Sequence, residues 1–345
     1  MNKANIPLVS LIVSTYNGEK HILECLVSVA NQTYEKFECI VVDDGSTDST
    51  PQIIDKFCEK DERFVVLHKK NSGVSDSRNI GLTISKGEYV GILDHDDYLH
   101  PDYVKYLMSL ILNNETRIAT TNKVLSFSGN LPKIKELNYR DFSLWSGEKT
   151  AKQMLMYNIM ICPWNKLISK ELIYENNIKF QEQFFCGEGF AFSVECFQAT
   201  DYVSVGHESV YFYRVDVASS GTSSFSLTKC RSALNAQEYI RSIIKDRSKY
   251  SWKILRFSKW KTASDFYTLL RIDKLSKKYP DEERKLKQEI RKNALVSFTI
   301  PVSFKNKVRA FLFWLSPVLA AKFFGMRANR KTGKKFNKSR KEESK

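Results

Sequence analysis

The chain has 345 residues, 42% of them hydrophobic and 27% charged, enough for two medium domains or one large domain with an appendage, around a sizeable core. Seven scattered cysteines without a CxxC pair fit reduced thiols and exclude a disulfide framework or a sulfur-bound zinc site, and neither a secretory signal at Met1 to Leu11 nor a spanning apolar run is visible, so the expected location is the cytoplasm. Of the net charge of +15, a balance of +11 lies from Pro301 onward, which points to an anionic surface touched by the tail and away from a domain built around a polyanion.

In chain order, Leu8–Val13, Phe37–Val42, Phe64–His68 and Glu88–Leu93 are short β-rich runs of the kind buried on both faces of a sheet. Helical patterns separate them. Ile22, Leu23, Leu26, Val29 and Ala30 form one apolar stripe, and Ser49-Thr50-Pro51 reads as a helix start before Ile53, Ile54 and Phe57. Strand alternating with helix predicts an α/β fold with a doubly wound, mainly parallel sheet. Ligands of such sheets sit at the carboxyl ends of the strands, where Ser14 to Asn17, Asp43 to Ser46 and Asp94 to Asp96 fall.

Neither GxGxxG nor GxxxxGK[ST] follows the first strand, so no glycine loop cradles phosphate there. Asp94 and Asp96, spaced i, i+2 at a strand tip, can instead present oxygens to Mn²⁺ or Mg²⁺, which commonly shares its shell with substrate phosphates. Asp97 reads as a cap for the helix entered at Pro101. An EF-hand is excluded because Leu99 stands where its sharp-turn glycine belongs.

The segments "PLVSLIVSTYNGEKHILECLVSVANQTY", "FECIVVDDGSTDST", "NSGVSDSRNIGLTISKGEYVGILDHDDYLHPD" and "PWNKLISKELI" resemble, in order and spacing, the family 2 glycosyltransferases of the GT-A fold and bacterial cell-surface polysaccharide type. The likeness runs through about the first 175 residues and loosely through the next 40. It implies inverting transfer of a sugar from a nucleotide diphosphate donor, usually UDP-linked, with Mn²⁺ or Mg²⁺. By the same resemblance Ser14, Tyr16 and Asp44 would hold the base, Asp43 would support the nucleoside, and Arg78 would lie near the diphosphate. Asp94 and Asp96 match the DxD motif, with Asp96 the expected direct metal ligand and His95 between them either part of the donor site or a spacer. Trp164 fits the acceptor-side loop, and Tyr213-Arg214 the segment that closes over the diphosphate.

One position departs from the pattern. The family's general base is the Asp of a "GED" stretch, but here the segment reads "FFCGEGFAFSVECF", with Gly189 in its place. Glu188 is the candidate base, with Glu182 or Glu195 as alternatives. The competing reading is a nucleotide-sugar binding or partner protein with weak or no turnover.

The likeness fades from about Ser226 into helices with interleaved aromatic and basic residues. The uncharged run Ala310–Ala321 would reach about 18 Å as a helix against a hydrocarbon core of about 30 Å, so it cannot span alone. With Pro317 inside it and a polybasic segment behind it, it predicts a helix lying in the interface of an anionic membrane. Nucleic acid is disfavoured, since no recognition module accompanies the charge. The expected division is 1–120 for the nucleotide-sugar half, 121–225 for the acceptor half, 226–300 for a helical extension and 301–345 for the membrane-associating tail. The expected protein works on the inner face of the cell membrane, on a saccharide acceptor that is lipid-linked.

Overall fold

The computed structural model describes residues 6–215 and 224–326. The polybasic segment at 327–345, part of the expected membrane tail, lies outside the described residues. Strand and helix alternate through β1 (Val9–Thr15), α1 (Ile22–Ala30), β2 (Phe37–Asp43), α2 (Thr50–Cys58), β3 (Phe64–His68), α3 (Val74–Ile84) and β4 (Tyr89–Asp94). Then follow β5 (Tyr98–Leu99), α4 (Tyr103–Asn114), β6 (Ile118–Thr121), β7 (Leu125–Phe127), β8 (Phe142–Ser146), α5 (Gly147–Leu155) and β9 (Lys166–Ser169). After α6 (Lys170–Glu175), α7 (Glu188–Gln198), β10 (Tyr202–Gly206) and β11 (Tyr211–Arg214), the rest is helical. It comprises α8 (Leu227–Ile243), α9 (Lys249–Ile272), α10 (Pro280–Asn293), a 3₁₀ turn (Ala294–Thr299), α11 (Phe304–Leu315) and helical turns over 317–326.

Eight strands form the main sheet in the order β3-β2-β1-β4-β9-β6-β10-β8, and β5-β11-β7 form a small second one. The first four are mutually parallel, as their both-sides-apolar sequences require. β9 then enters antiparallel between β4 and β6. β1 lies in the middle and is buried along its whole length. Its side chains alternate between two cores: Val9, Leu11 and Val13 join the one under α1 and α4, while Ile12 joins the other. β3 departs from the expectation of burial on both faces. Among the described residues it pairs with β2 alone, at the edge of the sheet, and Val65 is 46% exposed.

The parallel register makes the site. Ser14 pairs with Val42 and with Asp94, and Thr15 pairs with Asp43, so the three polar tips stand level at one edge.

The C-terminal helices are part of this body. Trp260, Tyr267 and Phe313 are fully buried in the same core as Ile12, Ile92 and Phe192. The uncharged run is not one helix: α11 stops at Leu315, and Pro317 opens the next helical turns, where a proline loses no hydrogen bond. Among the described residues no helix is long and apolar enough to cross a membrane.

Candidate active site

At the tip of β2, Asp43 is 1% exposed and turned away from open space. Its Oδ1 accepts from the Ser46 amide (3.1 Å) and hydroxyl (2.5 Å), and its Oδ2 lies 2.8 Å from His68 Nδ1. Burial disfavours the charged imidazole, but hydrogen bonds to Asp43 and Asp55 outweigh it and raise the His68 pKa. Asp43 therefore sets the shape of the Asp44–Ser46 turn from behind. Gly45 has φ +74° there, and a Cβ would lie 2.9 Å from the Asn71 amide nitrogen, so glycine is required.

Asp44 faces the cavity. Its Oδ1 accepts from Lys69 Nζ (2.5 Å) and the Ser72 amide (2.9 Å), and its Oδ2 from the Gly73 amide (2.9 Å). A carboxylate offers roughly four lone-pair positions, so one remains on Oδ2. Ser14 and the half-exposed ring of Tyr16 stand on the same wall. Asn17 joins the two loops: its amide donates to Ser46 Oγ and its side-chain carbonyl accepts from the Thr47 amide.

At the tip of β4, Asp94 and Asp96 both line the cavity. Burial, reinforced by the charge of Asp94, raises the Asp96 pKa. The His95 ring lies over Gly18, so close that a Cβ there would stand 3.0 Å from His95 Nε2. Asp97 is corrected from the expected helix cap: it is buried, and accepts from Tyr211 Oη (2.7 Å) and the Arg214 amide (2.8 Å). β11, arriving from more than 100 residues away, claims that carboxylate; the residue before α4 is Asp102, whose side chain makes no cap bond. Arg214 is buried behind the turn, donating through Nε to the Asp96 carbonyl (2.8 Å) and pairing with Glu24, while Tyr213 reaches the cavity.

Arg78 connects the two sides. The residue is 4% exposed, with Nη2 2.7 Å from Asp94 Oδ1 and Nη1 2.8 Å from Glu188 Oε1. Burial opposes its charge, but the two carboxylates more than compensate and raise its pKa. Its Nε has no hydrogen-bond partner among the described residues.

Glu188 opens α7 after Gly187, whose φ of +95° turns the chain. Gly189 is pressed against Pro163: a Cβ would lie 2.8 Å from Pro163 Cγ and closer to Cδ. The proline ring fills the space where the expected aspartate side chain would begin. Glu182 is exposed outside the cavity lining, and Glu195 lies on a later turn of α7, accepting from Tyr239 Oη (3.0 Å) with its pKa raised by burial.

The sequence reading missed Lys166. Only 1% exposed, its ammonium donates to Cys162 O (2.5 Å), Trp164 O (2.8 Å) and Asn165 Oδ1 (3.1 Å), and burial lowers its pKa. It ties down the Cys162–Asn165 loop, which carries Pro163 and Trp164 to the cavity. Trp164 stacks on Tyr211 (4.3 Å between centroids) and Tyr213 (5.4 Å). The signal available was a charge beside Leu167 and Ile168, inside a short apolar strand.

These side chains share one cavity of about 1830 Å³, running from Ser14 and Asp44 past Asp94, Asp96 and Glu188 to α8, α9 and α11. Among the described residues no cluster of three or more His, Cys, Asp or Glu could hold a metal by itself.

Comparison with known proteins places this geometry. The crystal structure of residues 1–349 of S. aureus TarS in complex with UDP-GlcNAc has the same fold, with a TM-score of 0.63, 19% identity and coverage of 94% of this chain and 92% of that one. EpsH of Bacillus subtilis is 29% identical over 222 residues, 62% of each chain. Chondroitin synthase of Pasteurella multocida is 37% identical over 155 residues, 44% of this chain but 16% of the synthase, so the matches span less than two thirds of these relatives. The family model for glycosyl transferase family 2 matches residues 10–197, which holds β1 to α7 and with them every strand tip and carboxylate from Ser14 to Glu188. By that match over more than half its length, with the GT-A architecture around it, the chain belongs to glycosyl transferase family 2.

Proposed function

We propose that the protein is an inverting glycosyltransferase that moves a sugar from a UDP-linked donor to a hydroxyl of a lipid-linked saccharide in cell-surface polysaccharide synthesis. One observation carries the reading: Arg78 joins Asp94 of the DxD pair to Glu188, so the donor-side carboxylates and the candidate base meet within one guanidinium's span. TarS, a fold relative, was crystallised with UDP-GlcNAc.

The residues fit the roles. The free position on Asp44 Oδ2 suits the imide N–H of uracil, Tyr16 offers a ring face, Ser14 a hydroxyl, and Asp43 holds the turn that carries Asp44. Asp94 and Asp96 fit a divalent cation that completes its shell with phosphate and water: two carboxylates that repel each other line one cavity at a strand tip. Bound there, Mn²⁺ or Mg²⁺ would neutralise charge on the departing diphosphate. Arg78 then lies beside the diphosphate, with its two Nη groups held by Asp94 and Glu188. His95 closes the wall over Gly18.

Glu188 removes the proton from the acceptor hydroxyl as that oxygen attacks the anomeric carbon opposite the diphosphate. Its ion pair with Arg78 occupies one of its oxygens, which favours the alternative of a binding protein without turnover. A panel of nucleotide sugars with Mn²⁺, reading donor turnover and thermal shift together, decides: turnover of a UDP-sugar supports the transferase, a shift alone supports the binding protein, and neither overturns both.

We further assign 1–120 to the donor half, 121–225 to the acceptor half, 226–300 to the helical extension and 301–345 to membrane association on the inner face of the cell membrane. The exposure of Phe304, Phe311, Trp314, Leu315 and Leu319 and the basic sequence after Met326 support that assignment.

A further inference from the structure

The cavity continues beyond the space a nucleotide sugar needs. Pockets for a single small ligand measure roughly 300–1,000 Å³, against about 1830 Å³ here. Its far part is walled by Gln237 of α8, Asp265 of α9, and Lys305, Val308, Arg309 and Leu312 of α11, none of which has a role in the chemistry described above.

α11 has three faces. Lys305, Val308, Arg309 and Leu312, at helical spacing, line the cavity; Ala310 and Phe313 are buried in the core; Phe304, Phe311 and Leu315 are exposed. Arg309 is fixed in place, with Nη2 2.7 Å from Asp265 Oδ1, Nε donating to Ser264 Oγ at 3.3 Å, and the guanidinium 4.8 Å over the Phe324 ring. Lys261 Nζ lies 2.5 Å from the other Asp265 oxygen, and Lys305 acts electrostatically on both while forming no ion pair among the described residues. Three cations around one carboxylate leave an excess of positive charge at the cavity wall. Gln237, 4% exposed, lines the same cavity and donates from Nε2 to Thr262 Oγ1 at 2.9 Å.

We infer that this chamber holds the phosphate of a lipid-linked acceptor. Arg309 and Lys305 bind a phosphate or diphosphate ester, the sugar reaches toward Glu188, and the apolar chain leaves along Val308 and Leu312 toward the exposed side of α11. The sugar's role rests on the transferase reading; the binding of a phosphorylated amphiphile rests on the chamber alone.

The test uses the full chain saturated with UDP and Mn²⁺. Titration with farnesyl phosphate, inorganic phosphate and farnesol is followed by calorimetry. The expected result is that farnesyl phosphate binds at least ten-fold more tightly than either of the others. Lys305→Glu and Arg309→Gln should each weaken it at least ten-fold with the UDP affinity unchanged. Equal affinity for inorganic phosphate overturns the lipid, equal affinity for farnesol overturns the anion site, and an unaltered Lys305→Glu overturns the chamber. Lys305 is exposed, so that variant decides even where Arg309→Gln lowers the melting temperature. Failure of the parent chain to bind UDP overturns the transferase reading, while the farnesyl phosphate titration still decides the chamber.

Discussion

The proposed donor edge and the proposed acceptor wall are built in different ways. At the donor edge, Ser14, Asp43, Asp44, Asp94 and Asp96 stand at or just past the ends of three adjacent parallel strands, and backbone register alone brings them level. The acceptor wall gathers Pro163, Trp164, Glu188, Gln237, Asp265 and Arg309 from a loop and four helices spread over nearly 150 residues. Strand register tolerates little change, because a slip of one residue reverses every side chain. Helix packing offers more solutions, and here it has put a proline ring against Gly189 where the resemblance implies an aspartate.

The largest expected effect breaks the donor edge. Asp96→Ala should lower donor turnover by about a thousand-fold or more, since removing a ligand forfeits several kcal/mol of charge stabilisation. Its melting temperature should hold or rise, because the carboxylate that leaves is partly buried and repelled by Asp94. Turnover near the parent's in the presence of EDTA would contradict the DxD assignment. Next, Glu188→Gln should cost transfer about 10²- to 10⁴-fold, the range for a lost general base, with UDP binding retained in calorimetry. Unchanged turnover would move the base elsewhere on the wall.

A smaller effect sharpens the contrast. Gly189→Asp should fail to raise activity and should destabilise by about 1–3 kcal/mol, the cost of overpacking, seen as a lower urea midpoint. Adding Pro163→Ala should recover part of that loss, and a gain in activity from Gly189→Asp alone would show that Pro163 yields. The smallest effect on donor chemistry belongs to the terminus. Deleting 327–345 should leave UDP-sugar hydrolysis unchanged while making binding to anionic vesicles weaker and less salt-sensitive, at about 1 kcal/mol per basic residue near the surface. Failure of the full chain to sediment with anionic vesicles at low salt would remove the membrane from the account.

Asp97 and Lys166 show where sequence reading stops. Three residues ahead of His100-Pro101, Asp97 has the look of a cap, and nothing nearby announces that Tyr211 and Arg214 will take both its oxygens. Lys166 has the look of an ordinary surface lysine until the strand it begins is inserted between β4 and β6, where three oxygens replace its water. β3 was misjudged for a related reason: its residues are as apolar as those of β2, and its place at the edge depends on the order in which strands assemble.

By itself the sequence determined the parallel strands, their polar tips and the DxD pair, because apolar runs buried on both faces and the residues that follow them are local properties of the chain. The tertiary structure decided that Arg78 binds a carboxylate 16 residues away and another 110 residues away, that Gly189 rests on Pro163, and that α11 forms one wall of the cavity. Such contacts are fixed by how whole elements pack, through shape and burial summed over many residues, and no short stretch of sequence carries that sum.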